Sequence, residues 1–306
     1  MKKVIVTTTI HAPTEAVAAF EQMEGWDLVV VGDRKTPADY RLDRGIYVSP
    51  ERQRAYDPAL SEAIGWDCIQ RRNFGLLWAH DMKADVVAVV DDDNVPLPGW
   101  GRDLLVGRDV EVDFYQTDLP AFDPLGATNH GHLWHRGYPL QLVARRDYAD
   151  KTRRKVHVDV QADFWNGDPD VDAVCRMEHA PQCEFDPGCF PMAASKMGPF
   201  DSQNTFLAGR VLKDYFLFPH VGRMDDIWAS YYAQAKGFRV AYNRPSVRQV
   251  RHAHEPVRDM RQEYLGYENN LNLVRDLARD PESIHAYLPD RSARALELYR
   301  RHFSDA

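Results

Sequence analysis

The sequence predicts an α/β protein built on a doubly wound, mostly parallel sheet. Three observations carry this. Apolar runs recur in "KKVIVTTTI", "WDLVVVGD" and "DVVAVVDDD", with helix-period segments between them, the alternation that builds βαβ units. The runs are continuous rather than alternating, which suits strands covered on both faces. Each run also stops at hydroxyl or carboxylate residues. Polar groups therefore gather at the strands' carboxyl ends, where such sheets bind ligands.

Taken in order, "KKVIVTTTI" is a first strand ending at Thr7, Thr8 and Thr9. "PTEAVAAFEQME" places Pro and Glu early and apolar residues at helical spacing, so it reads as a helix. "WDLVVVGD" is a buried strand stopping at Gly32 and Asp33. "SEAIGWDCIQRRNFGLLWAHDMKA" reads as a helix behind a serine cap, and "DVVAVV" as the next strand. Residues 110–200 are rich in Pro, Gly, Asp and aromatics and read as an irregular acceptor-side region with short strands, with helix only near 141–150 or 170–178. "GRMDDIWASYYAQAKGF" returns to helix, capped near Asp225 and ended by Gly237. "RVAYNRPSVRQVRHAHE" is a strand and a loop, and the charged tail is helical, broken at Pro281 and Pro289. The division expected is one doubly wound α/β unit over residues 1–256 and a helical C-terminal extension over 257–306, packed on it.

Composition narrows the function. The 306 residues are 44% hydrophobic and 27% charged, which suits a soluble protein with a real core. A formal net charge of −8 argues against nucleic acid or an anionic membrane as partner. No apolar stretch reaches the ~18 residues of a membrane span, and the start is too short and Thr-rich for a signal peptide. Four cysteines without CxxC spacing read as reduced thiols. A cytoplasmic location is expected, and a homo-oligomer stays open.

"VVAVVDDDNVPLPGW" poses the central question: three adjacent aspartates repel one another. An apolar strand ending in Asp-x-Asp suits a divalent cation, Mn²⁺ or Mg²⁺, that bridges a nucleotide diphosphate. Asp91 and Asp93 are the candidate ligands, with Asp92 beside the nucleotide sugar. A solvated turn or a helix cap explains the same residues structurally. In "RRNFG", Arg71 or Arg72 could reach a phosphate or base and Asn73 a sugar; a helix-surface role is the alternative. "HLWHRGYPL" brings Arg136 and Tyr138 into a Gly- and Pro-shaped loop that could stack a sugar and place a guanidinium near phosphate. "GRMDDIWAS" sets Asp225 and Asp226 at a helix start, as caps or as a base and a hydroxyl ligand. In "RHAHE", His252 or His254 could supply a further metal ligand.

These segments, in this order, resemble the reversibly glycosylated polypeptide family, whose plant members include UDP-arabinopyranose mutases. The resemblance is carried by "RRNFGLLWAHDMKADVVAVVDDDN", "HRGYPLQL", "DFWNGDPDVDA", "FPMAASKMGPF", "GRMDDIWAS" and "RHAHEPVRDMRQEYLGY". The stretch from "VVVGDRKTPADY" to "DDDN" is also similar to STELLO-type glycosyltransferase-like domains. "PMAASKMG" lacks the first family's Cys-Gly-Met-Asn. The resemblance implies a GT-A-type fold, a UDP-sugar ligand and a divalent metal. It further implies that Arg136 matches the arginine on which that family becomes glycosylated.

The expectation is a metal-dependent UDP-sugar enzyme. Thr7 and Asp33 face the nucleotide, with Asp33 on the base. Asp91 touches the ribose or a metal-bound water. Asp93 and His252 or His254 hold the metal, and Arg136, Asp225 and Asp226 face the anomeric carbon. A pyranose–furanose mutase leads. A glycosyltransferase with a separate acceptor and a noncatalytic nucleotide-sugar scaffold are the alternatives.

Overall fold

The structure is a computed structural model and describes residues 1–249 and 255–303. The chain opens with β1 (Lys3–Thr9) and α1 (Glu15–Glu21), where the Thr14 side chain caps the helix by accepting from the Val17 amide. Then come β2 (Asp27–Gly32) and the short β3 (Ile46–Val48). β1 and β2 are buried along almost their whole length, as their continuous apolar runs require.

The segment expected to form one helix across residues 61–84 is divided. α2 (Pro50–Tyr56) is followed by α3 (Pro58–Ile64), which ends at Gly65 with φ of +83°, open to glycine but strained for other residues. A short 3-10 turn over Ile69–Arg71 leads into α4 (Arg72–Asp81). The break swings Arg71 and Arg72 to the start of α4, above the carboxyl ends of the strands. Gly75 lets this helix lie close on the sheet, because a Cβ there would meet Val6 Cγ1 at 2.4 Å and Val31 Cγ2 at 2.9 Å.

β4 (Val86–Val90) lies beside β1 and is wholly buried. After it come β5 (Asn94–Pro96), β6 (Asp109–Tyr115), β7 (Lys151–His157) and β8 (Val160–Gly167). The middle region is thus more regular than its composition suggests. Of the two helices expected there, 170–178 becomes α5 (Ala173–His179), capped by Asp172, and 141–150 becomes a 3-10 stretch over Leu140–Arg145. β9 (Met192–Ala194) and β10 (Asn204–Ala208) follow. α6 (Asp225–Ala235) and β11 (Val240–Gln249) complete the sheet; the register shift between Asn243 and Val247 accommodates Pro245. α7 (Pro256–Leu277) and α8 (Asp290–Arg301) close the described chain.

Among the described residues the strands form one sheet, ordered β3-β2-β1-β4-β10-β8-β11-β9-β6-β7, with β5 paired to β11. β3, β2, β1 and β4 run parallel, as the βαβ pattern predicts. Antiparallel β10 joins this half to β8, which runs parallel to β11. β8 carries Gln161 and Asp163 inside the core, where Asp163 accepts from the side chains of Gln161 and Asn243 at 2.7 and 2.9 Å.

α7 is tied to the middle of the molecule. Its Glu263, fully buried, accepts from the Ala173 amide at 2.8 Å and from Arg223 Nε at 2.9 Å. Its Asn270 donates to the Gly137 carbonyl at 2.9 Å and accepts from Trp228 Nε1 at 2.8 Å.

Candidate active site

Two cavities of about 300 Å³ each open at the carboxyl ends of β1, β2 and β4. Ile69 lines both. The first is walled by Thr8, Thr9, Asp33, Lys35, Arg71 and Asp92. The second is walled by Asp91, Asp93, Arg136, Arg223, Asp225 and Asp226, with Ser202, Gln203 and Gln249. The aspartate triplet after β4 forms the ridge between them.

The triplet is tolerated because its charges are divided. Asp91 accepts from Arg72 Nη2 at 2.6 Å, and that guanidinium also reaches the Ser202 carbonyl at 2.6 Å and Thr8 Oγ1 at 3.0 Å. Asp92 accepts from the Thr9 hydroxyl at 2.5 Å, while burial and the neighbouring Asp91 charge push its carboxyl above the usual range. Asp93 turns into the second cavity.

In the first cavity Asp33 is fixed by backbone donors. Its carboxylate accepts from the Arg34 amide at 2.6 Å and the Cys68 amide at 3.0 Å. Arg71 is fully buried, and its guanidinium donates to Gln53 Oε1 at 2.6 Å, to the Ser61 and Gly65 carbonyls at 3.1 Å and to Ser61 Oγ at 3.1 Å. It also lies 3.7 Å from the Trp66 ring centroid. Burial among neutral oxygens lowers its pKa to about 10. It remains a cation in the cavity wall with most of its donors already engaged.

The second cavity has an ionic floor. Arg136 donates from Nε to both Asp170 oxygens, at 2.9 and 3.0 Å, and its Nη2 lies 2.8 Å from Asp170 Oδ2. Nη1 and Nη2 reach Asp226 at 3.0 and 3.2 Å, and Nη1 also donates to the Arg223 carbonyl. Every N–H of this guanidinium therefore has a protein acceptor. Asp226 also accepts from the Ser202 amide at 2.9 Å, and the Arg136 charge holds it below the usual carboxylate range despite burial. Asp225, next to it, is pushed up to about 7 by burial and the Asp226 charge, although it accepts from Gln70 Nε2 at 2.7 Å. The two adjacent carboxyls are thus held in opposite protonation preferences.

Three candidate residues turn away from both cavities. Thr7 is fully buried, and Thr8 and Thr9 line the first cavity instead. Asn73 pairs with the Leu217 backbone, donating at 2.8 Å and accepting at 2.9 Å, so its amide is spent inside the fold. Tyr138 is buried beside Asp123 and Arg146, away from the aspartate ridge. Arg72 reaches Asp91 rather than open space. His252 and His254 lie outside the described residues.

Sequence reasoning passed over His135, Asp170, Asp201, Ser202 and Arg223. His135 Nε2 stands 3.7 Å from Asp201 Oδ2, and one donor atom from each of His135, Asp170 and Asp201 falls within 4.8 Å of the others. The signal lay in "DFWNGDPDVDA", whose aspartates repeat too densely for an ordinary loop; the lone Asp201 of "GPFDSQN" gave none. Two donor sets thus suit a hard cation. Asp91 and Asp93 line an open cavity. The His135 set is buried behind Arg136, and Asp201 there already accepts from Trp165 Nε1 and the Gln203 amide, both at 3.0 Å.

No family model matches the chain. It is similar to two Arabidopsis thaliana proteins, "Probable glycosyltransferase STELLO2" at 27% identity and "Probable glycosyltransferase STELLO1" at 26%, each over 187 residues. The match takes in 56% of this chain and 24% of each relative, so the chain spans about a quarter of their length. This agrees with the STELLO-type resemblance; neither relative is a reversibly glycosylated polypeptide. Among solved structures, Mycobacterium tuberculosis glucosyl-3-phosphoglycerate synthase with Mn²⁺, UDP-glucose and phosphoglyceric acid is 12% identical. That likeness covers 89% of this chain and 80% of the other, with a TM-score of 0.46. The same enzyme with phosphoglyceric acid gives 11%, 94%, 81% and 0.43. Among the described residues no helix is long and apolar enough to cross a membrane.

Proposed function

We propose that the chain is a glycosyltransferase-like enzyme that binds a UDP-sugar across the two cavities and transfers the glycosyl group to a hydroxyl acceptor. The single observation that carries the reading is the junction of the cavities at Asp91–Asp93, with Asp225 held near neutrality in the second. The similarity to proteins named as glycosyltransferases supports it.

In this reading the nucleoside lies in the first cavity, over Thr8 and Thr9 and against Asp33. Lys35 and Arg71 supply positive charge there. The diphosphate crosses the aspartate ridge. Asp93, with Asp91 beside it, would hold a divalent cation such as Mn²⁺ or Mg²⁺, which when bound there would offset the diphosphate charge. The sugar and its acceptor occupy the second cavity. Asp225 takes the proton of the attacking hydroxyl as the new C1–O bond forms. The bond from C1 to the diphosphate breaks, and its electron pair leaves with the diphosphate. Asp226, held by Arg136 and Ser202, positions the sugar by accepting from its hydroxyls.

The finer alternative is ring interconversion through an adduct on Arg136, as the mutase resemblance implies. The engaged guanidinium weighs against it, since each of its N–H groups already donates to protein oxygen. The deciding experiment incubates the protein with Mn²⁺ and a panel of UDP-sugars, with and without hydroxyl acceptors. Acceptor-dependent release of UDP is expected. An isomerised UDP-sugar without acceptor would replace this reading with the mutase. Binding without turnover under any condition would leave a scaffold.

A further inference from the structure

A third cavity, of about 470 Å³, lies away from the aspartate ridge. α6 and β11 connect it to the active site. Asp225 and Asp226 at the start of α6 line the second cavity, whereas Gln234 near its end lines this one. The helix from Asp225 to Gln234 separates the two by about 13 Å. Likewise Val240 at the start of β11 is here and Gln249 at its end is there.

The electrostatics of this cavity are unlike those of the rest of the chain. The protein carries a net charge of −8, yet Arg154, Lys155, Lys196 and Arg239 line the cavity and no carboxylate does. Arg154, on β7, covers the Phe114 ring with its guanidinium 4.5 Å from the ring centroid. Among the described residues none of the four cations forms a salt bridge. Tyr242 also lines the cavity, while its hydroxyl is buried against Gly198.

We propose that this cavity is a second ligand site for a small, soluble organic phosphate. Arg154, Lys196 and Arg239 would offset its charge, and Phe114 and Phe238 would pack on its apolar part. The site is independent of the glycosyl-transfer reading. A concave groove of this volume suits a small ligand rather than a polymer, and the negative charge of the whole chain disfavours long polyanions.

The test is calorimetric titration of inorganic pyrophosphate into the full chain, with the active-site cavity altered separately by Asp225→Asn. Saturable binding is expected. It should weaken at least tenfold in Lys196→Glu/Arg239→Glu and persist in Asp225→Asn. Equal affinity in the wild type and the charge-reversed variant would overturn the site. So would binding confined to phosphatidic acid vesicles, which would make the face a membrane contact.

Discussion

Arg136 grips Asp226 by both carboxylate oxygens, at 3.0 and 3.2 Å, while its other edge holds Asp170 at 2.8 Å. One buried cation thus serves two buried anions, with Asp201 close enough to feel both carboxylates. Replacing Arg136 by Met keeps the volume but removes the charge. Breaking a buried ion pair in this way costs roughly 3–5 kcal/mol. Chemical denaturation should show a loss of that order for Arg136→Met, partly recovered when Asp170→Asn is added. An Arg136→Met protein as stable as the wild type would remove the clamp role.

Asp225 gives the pH profile. A base with a pKa of about 7 is ionised above that value, so turnover should fall as pH drops through neutrality. Asp225→Asn should reduce kcat on the order of 10²-fold or more and abolish that limb. The stability sign is opposite. The folded pKa lies above the unfolded carboxyl value, so the contribution is full below about pH 4 and lost as pH rises through about 7. Asp225→Asn should therefore gain stability relative to the wild type at pH 8 and lose that advantage at pH 4. A pH-independent difference between the two proteins would contradict the shifted carboxyl.

Asn73 separates a binding role from a structural one. Both halves of its amide are bonded to the Leu217 backbone. Asn73→Ala leaves a buried N–H and a buried carbonyl without partners, at about 1–3 kcal/mol for each group. Denaturation should report that loss, while UDP affinity at low temperature stays within twofold. A large drop in affinity with stability intact would return Asn73 to the ligand.

Asp93 tests the cation. UDP binding measured by calorimetry should strengthen when Mn²⁺ is added to the wild type. In Asp93→Ala that enhancement should fall at least tenfold. Identical affinities with and without Mn²⁺ would eliminate a metal at the ridge.

The parallel half of the sheet was legible because its strands are continuous apolar runs that end in polar residues, as at Val86–Val90 followed by Asp91. β8 was harder to read, since Gln161 and Asp163 interrupt its apolar pattern and are satisfied only by the folded neighbours. The division at Gly65 was hidden by helix-period residues on both sides. Within the site, Asp91–Asp93 and Asp225–Asp226 stood out as local clusters. Asp170 did not, because its meaning lies in Arg136, 34 residues earlier. Asn73 misled for the same reason: its partner is 144 residues away.

The embrace of Gly137 and Arg223 by α7 sets an order of events. A chain made from its N-terminus displays the aspartate ridge early, but Glu263 and Asn270 come into being some forty residues after Asp226. Until then the loop carrying Arg136 lacks one of the bonds that anchor it, and Arg223 lacks a buried counter-charge. The second cavity therefore matures late, by a long-range closure that the nascent chain cannot complete piecemeal. Protein released before that helix is made would hold the first cavity and lack a settled second one. Truncation near residue 256 should thus uncouple binding from turnover rather than trim an appendage.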